Sequence, residues 1–169
     1  GIIIHIAGFP ILRGAGEIDA GQYLDQVAGI SAVHGACLFA SRNVLENVGL
    51  FDEYFFAFNE DADLGWRALL RGCKLRYVPS AIVYHRWGET WGSTHLLGNK
   101  LYYAERNRLI MILSNYERRS LILLLPILVL AEVGTLVYCL ARGLLKAKVR
   151  GYADILRMRD HIIRRRKRI

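Results

Sequence analysis

Asn59-Glu60-Asp61-Ala62-Asp63-Leu64-Gly65-Trp66-Arg67-Ala68-Leu69-Leu70-Arg71-Gly72 is the stretch whose reading decides the rest. Three carboxylates stand in its first turn, Arg71 closes its last, and Gly72 follows. Acids at the positive end of a helix dipole and a glycine just past the other end mark the direction and limits of an α-helix. Asn59 is expected to cap it through its side chain. Leu64, Ala68 and the Trp66/Leu69/Leu70 side give it a wide apolar face. Asp63 and Arg67 stand at i,i+4, a pair contributing on the order of a few tenths of a kcal/mol.

Upstream, Ser41 is expected to cap a short helix through Val48 that Gly49 ends. The aromatic run Asp52–Phe58 reads as extended, Gly1–Ile6 as a buried strand, and Phe9–Gln22, with three unevenly spaced glycines, as a loop. Downstream, Lys74–Val78 and Ala81–His85 read as two extended pieces around Pro79. Arg86–Asn99 reads as a loop and Lys100–Tyr116 as a helix. Strands and helices in this order predict an α/β domain.

The chain has 169 residues, 53% apolar and 22% charged, with three prolines, which excludes a disordered chain and a Pro-rich linker. Its net charge of +8 is unevenly placed: residues 1–117 hold 10 Lys+Arg and 12 Asp+Glu, residues 118–169 hold 13 and 3. A near-neutral domain is therefore followed by a basic tail. Cys37, Cys73 and Cys139 are far apart, form no CxxC pair, and are expected to be buried free thiols. No basic leader precedes the first apolar run, so no signal peptide is expected.

Ser120–Ala141 is 22 residues long with one charged group, Glu132, and has the length of a bilayer span of about 20 residues. Pro126, the mid-segment carboxylate and basic residues on both flanks count against a clean crossing. A kinked re-entrant or interfacial hairpin is the preferred reading, ahead of a single span and a buried soluble helix.

Several residues could carry chemistry, and each has a plainer explanation. Glu60, Asp61 and Asp63 could form a carboxylate base or metal site, or simply complement the helix dipole. His85 follows the apolar run Ala81–Tyr84 and could be a metal ligand at a strand end, or a packed or surface histidine. Gly35 and Ala36 allow close approach of a ligand, or a tight turn. The arginines of 164–168 fit lipid phosphate better than nucleic acid, because an apolar segment precedes them and no aromatics are interleaved. Composition and spacing lead no further than a membrane-attached α/β domain with an acidic helix start and a histidine.

Gly16–Tyr23, His34–Phe39, Val48–Phe56, Asn59–Arg67, Tyr77–His85 and Glu105–Arg108 occur in that order. The succession resembles the C-terminal half of the catalytic domain of family-2 glycosyltransferases, in particular the rhamnosyltransferase-like branch that builds bacterial and archaeal surface polysaccharides. It covers residues 1–117, with 118–169 as a membrane-associated helical segment and basic tail. The resemblance implies a GT-A type mixed sheet followed by membrane-associated helices. It also implies inverting transfer from a nucleotide-diphosphate sugar, and a divalent cation, Mg²⁺ or Mn²⁺. By the family's Glu-Asp motif Asp61 is the general base and Glu60 orients it or contacts the acceptor. His85 completes the metal shell, and Gly35 and Ala36 line the donor-sugar cleft. Asp63, Trp66 and Arg67 are acceptor contacts, although Trp66 and Arg67 read first as a helix-packing pair.

The implied partners are a nucleotide sugar, a glycan or lipid-linked acceptor and anionic lipids, with no nucleic acid. The implied place is the cytoplasmic face of the cell membrane. Two departures stand out. The family's nucleotide-binding units and Asp-x-Asp motif belong to an N-terminal half not in this sequence, so the chain alone is expected to bind donor weakly and to be inactive. The Gln-x-x-Arg-Trp motif of processive synthases is absent, since Val83 precedes Arg86-Trp87, which implies transfer of one or few sugars. A non-catalytic membrane scaffold or degenerate transferase is the alternative.

Overall fold

Three consecutive β-branched residues open the chain as strand β1 (Ile2–Ile4), which pairs antiparallel with β2 (Pro10–Leu12), Ile2 opposite Leu12 and Ile4 opposite Pro10. In this computed structural model residues 1–24, 30–86 and 97–168 are described. The expected strand is thus shorter than Gly1–Ile6, and the stretch expected as loop from Phe9 supplies its partner. On the other edge of β1, Ile2 exchanges backbone hydrogen bonds of 2.9 and 3.1 Å with Ala32.

A single 3-10 turn, Gly35–Cys37, follows. Then come α1 (Arg42–Val48), α2 (Glu60–Leu70), α3 (Leu97–Asn115), α4 (Arg118–Ala141), α5 (Leu145–Arg157) and α6 (Arg159–Arg166). The architecture is mixed and helix-rich with one small sheet. Ser41 caps α1 as expected, its hydroxyl accepting the Val44 N–H. Asp52–Phe58 is a series of turns instead of a strand, and Lys74–His85 runs without strand pairing around a turn at Pro79–Ser80. The loop expected over Arg86–Asn99 lies mostly outside the described residues, as does Trp87; its last three residues already belong to α3.

α2 has the predicted limits but not the predicted cap. Asn59 is left-handed, with φ of 66°, and its amide donates 2.9 Å to the Ala104 carbonyl on α3. Gly65 explains why α2 lies so close to the sheet. A Cβ there would sit 2.5 Å from the Ala32 Cβ and 2.6 Å from its Cα. Gly65→Ala would gain about 1 kcal/mol of helix propensity but push backbone against backbone. A net destabilisation of about 1–3 kcal/mol is expected in urea unfolding; an unchanged or stabilised variant would contradict this packing.

Ile2, Ala32, Phe55, Ala62, Ile110, Met111 and Ile162 make the main core. Ile162 belongs to α6, so the basic tail folds back into the domain. α4 runs as one helix through Pro126, and the chain reverses into α5 at Gly143, where φ is 67°. α5 then returns along α3. Lys148, buried, meets Glu105 and Glu132 at 2.5 Å each, and Glu132 also receives Arg108 and the Tyr152 hydroxyl. The carboxylate that argued against a crossing is therefore fully paired.

In α6, Arg165 is buried and bonds Asp52 at 2.6 Å and also Asp63, His161 meets Asp52 at 2.8 Å, and Arg166 donates to the Leu113 carbonyl. Burial alone would raise the Asp52 carboxyl, but the His161 hydrogen bond and the Arg165 charge hold it below the usual range. The lipid-facing reading of the arginine run is corrected at Arg165 and Arg166, which are internal ties. Of the three thiols Cys139 is buried, Cys73 half-buried and Cys37 exposed, so the expectation of three buried cysteines fails at Cys37.

Candidate functional site

Asp61 stands in the first turn of α2 and is half-buried. Its Oδ2 accepts the Gly35 backbone N–H at 2.8 Å, and its Oδ1 accepts the N–H of Ala62 at 2.7 Å. A Cβ on residue 35 would lie 3.4 Å from Oδ2, so the turn packs directly against the carboxylate. Two backbone donors on one carboxylate fix its orientation.

Glu60, beside it, has the opposite surroundings. Its Oε2 is buried with no hydrogen-bond partner among the described residues. Burial pushes its carboxyl up, with a smaller push from the Asp61 charge. A half-buried acid whose carboxyl is pushed up by desolvation is a candidate proton-transfer group.

His34 precedes the turn and caps it, its Nδ1 accepting the Ala36 N–H at 3.2 Å. Its ring meets that of His85 edge-on, centroids 5.9 Å apart. His34, Ala36 and His85 line a cleft of about 580 Å³ with Tyr77 and Lys74. Gly35, Ala36, Asp61 and His85 are thus brought into one neighbourhood. Asp61 and Glu60 do not line the cleft itself; Asp61 reaches it through its bond to Gly35. His85 is exposed and follows irregular chain instead of a strand end.

The other expected site residues point elsewhere. Asp63 is buried against Arg67 at 2.8 Å, Asn115 at 3.1 Å and Arg165. Arg67 continues to the carbonyls of Val48 and Leu50 at 2.7 and 2.8 Å. Trp66 packs edge-on against Tyr116 and the main core. These three hold the helix in place, which fits the packing-pair reading of Trp66 and Arg67 and leaves Asp63 without a free oxygen. Arg67, Arg71, His161 and Arg165 do line a second cavity of about 560 Å³ behind α2, where internal partners engage them.

The sequence reading assigned no role to His34 or to the Glu105–Arg108 tetrad. Arg106 donates to the carbonyls of Tyr54 and Phe55, and Asn107 to those of Phe55, Ala57 and Phe58 at 2.7–2.9 Å. Those bonds hold a loop in which Phe56, Phe58 and Asn59 all have positive φ, a conformation uncommon for bulky side chains. The strained loop delivers the chain to Glu60 and Asp61. Four consecutive polar residues inside a helix were the available signal, because such a run covers most of the helix circumference and some of it must face inward.

Among the described residues no three His, Cys, Asp or Glu side chains converge on a point where a metal could sit. The two imidazoles do not make a metal shell without further ligands.

A family model described as glycosyl transferase family group 2 matches residues 22–145. The chain belongs to that family. Among relatives of this family-2 glycosyltransferase is an N-acetylglucosaminyl-diphospho-decaprenol L-rhamnosyltransferase of Mycobacterium tuberculosis (strain ATCC 25618 / H37Rv). It is 43% identical over 80 residues, 43% of this chain and 26% of the relative. A pre-mycofactocin glycosyltransferase of the same organism is 39% identical over 56 residues, 33% of this chain and 12% of the relative. The match thus spans about a quarter of the length of the rhamnosyltransferase. No solved structure matches the chain significantly. The family match runs past residue 117 and through α4 to residue 145.

Proposed function

We propose that the chain is the acceptor-side half of an inverting glycosyltransferase that moves a sugar from a nucleotide-diphosphate donor to a lipid-linked or glycan acceptor. The observation that carries this reading is the Asp61 carboxylate held between the N–H groups of Gly35 and Ala62 beside the His34/His85 cleft. Asp61 removes the proton of the acceptor hydroxyl as its oxygen bonds to the anomeric carbon from the face opposite the leaving diphosphate. The bond from that carbon to the diphosphate oxygen breaks, and the anomeric configuration inverts. Fixed placement of base and acceptor supplies much of the rate, since a held carboxylate acts without first being brought into position. Gly35 and Ala36 form the wall against which the donor sugar lies.

A second reading has its own support: Glu60, with a buried oxygen that has no partner among the described residues and a raised pKa, is the base, and Asp61 ties the turn to the helix. The relative that acts on a decaprenol-linked substrate supports a lipid-linked acceptor and, with the apolar helix α4, attachment at the cytoplasmic face of the membrane. The test is transfer by the full-length enzyme from a nucleotide sugar to a polyprenyl-diphosphate acceptor. Product of inverted configuration is expected; retained configuration, or no transfer with any donor tried, would overturn the proposal.

A divalent cation remains part of the proposal only as far as His85, which offers one imidazole at the cleft. His85→Ala in the full-length enzyme should raise the Mn²⁺ concentration giving half-maximal activity without shifting the urea midpoint. An unchanged metal titration would make His85 a cleft-wall residue alone.

A further inference from the structure

The 24 residues of α4 make a rod of about 36 Å, long enough for a hydrocarbon layer of about 30 Å. Its sides are unequal. Leu121, Leu124, Leu128, Glu132, Thr135 and Cys139 recur every three or four residues and are half-buried or buried. On the other side Leu123, Leu130 and Val137, seven residues apart, are 79%, 73% and 60% exposed. The acid on the inner stripe is bolted to the body of the domain. Glu132 bonds Arg108 on α3 and Lys148 on α5, whose side chains are 2% and 1% exposed, and Arg108 also holds the Ala7 carbonyl beside the β1–β2 turn.

If α4 crossed a bilayer, Glu132, fifteenth of its residues, would lie near the middle. Arg108 and Lys148 would then have to follow it into hydrocarbon with α3, α5 and the Ala7 turn. Otherwise Glu132 would part from Arg108 and Lys148, which keep Glu105, and stand unpaired in hydrocarbon; both routes are strongly unfavourable. We infer that α4 lies flat in the membrane surface, its Glu132 side against the domain and its Leu123/Leu130/Val137 face in the acyl boundary. The occupant of that face is an anionic bilayer. Exposed Arg118 and Arg119 stand at one end of the helix and Arg142 and Lys146 at the other. In a flat helix both pairs reach lipid phosphates of one leaflet, whereas a crossing would put one pair on the far side, against the positive-inside bias.

This rests on the membrane attachment proposed above and adds its geometry. The test places a single NBD-labelled cysteine at Leu123→Cys, Leu130→Cys or Val137→Cys in the full-length protein, its native cysteines replaced, on phosphatidylcholine vesicles containing phosphatidylglycerol. Lipids carrying doxyl groups near the headgroup should quench all three labels similarly, and external dithionite should abolish all three signals. A deep label at 130 with one end protected from dithionite would overturn the inference in favour of a crossing. Labels that no doxyl lipid quenches would overturn it as well, and a concentration-dependent dimer in that case would assign the face to a second copy. Sugar transfer measured in detergent does not depend on the labels, so failure of the transferase reading and failure of the flat helix are separately visible.

Discussion

Asp61→Asn should lower turnover of the full-length enzyme by about 10²–10⁴-fold while leaving the fold and donor affinity near those of the wild type. An amide has almost the shape of the carboxylate and its oxygen can still accept one of the N–H groups of Gly35 and Ala62. What it lacks is the ability to take a proton. Losing one of two local acceptor roles should reduce stability by only about 1 kcal/mol, so inactivity could not be blamed on unfolding. The paired experiment is Glu60→Gln. Its Oε2 has no partner among the described residues, so the amide breaks no bond seen there and relieves a carboxyl that burial already disfavours in its charged form. If Asp61 is the base, Glu60→Gln changes KM or the pH profile more than the maximal rate. If Asp61→Asn turns over at the wild-type rate and Glu60→Gln does not, the assignment passes to Glu60.

α2 was legible because its signals are local: acids at one end, Arg71 and Gly72 at the other, and an apolar face between. The motif residues Gly35, Asp61 and His85 carried a family resemblance, and the fold brings them near one another. What could not be read was set by residues far away in the chain. Asn59 would cap α2 if only neighbours mattered, but α3 offers its amide the Ala104 carbonyl, 45 positions on. Asp52–Phe58 has strand composition, yet Arg106 and Asn107 bind its carbonyls and bend it into turns with positive φ. The tail misled for the same reason. Thirteen cations against three acids look like a solvated or lipid-facing face, because the acids that neutralise Lys148 and Arg165 include Glu105, Asp52 and Asp63, outside the tail. Net charge counted by segment cannot register a pair whose halves lie about a hundred residues apart.

That pairing leads to the largest expected change in stability. Asp63→Asn should destabilise the full-length protein by about 3–5 kcal/mol, the range for removing one partner from a buried ionic cluster. The carboxylate is 1% exposed and accepts from Arg67, Asn115 and Arg165 together. An amide keeps one acceptor, presents an N–H toward one of the donors it replaces, and leaves two buried guanidiniums sharing fewer negative charges. Arg165 would still have Asp52, but Arg67 would keep only the backbone carbonyls of the α1–α2 connection. Spacing alone gave this i,i+4 pair the weight of a surface contact; burial makes it the joint where α2, α3 and α6 meet. The control is Glu46→Gln, which removes an i,i+4 pair with Arg42 at 3.9 Å whose side chains are 65% and 88% exposed. It should leave the urea midpoint where it was, because exposed pairs contribute little. A midpoint for Asp63→Asn equal to that of Glu46→Gln would mean that the joint does not hold the helix. If stability drops as expected, Asp63→Leu combined with Arg67→Met should recover part of it: Arg165 keeps Asp52, and apolar residues of similar volume can replace a buried ion pair once both its charges are removed together.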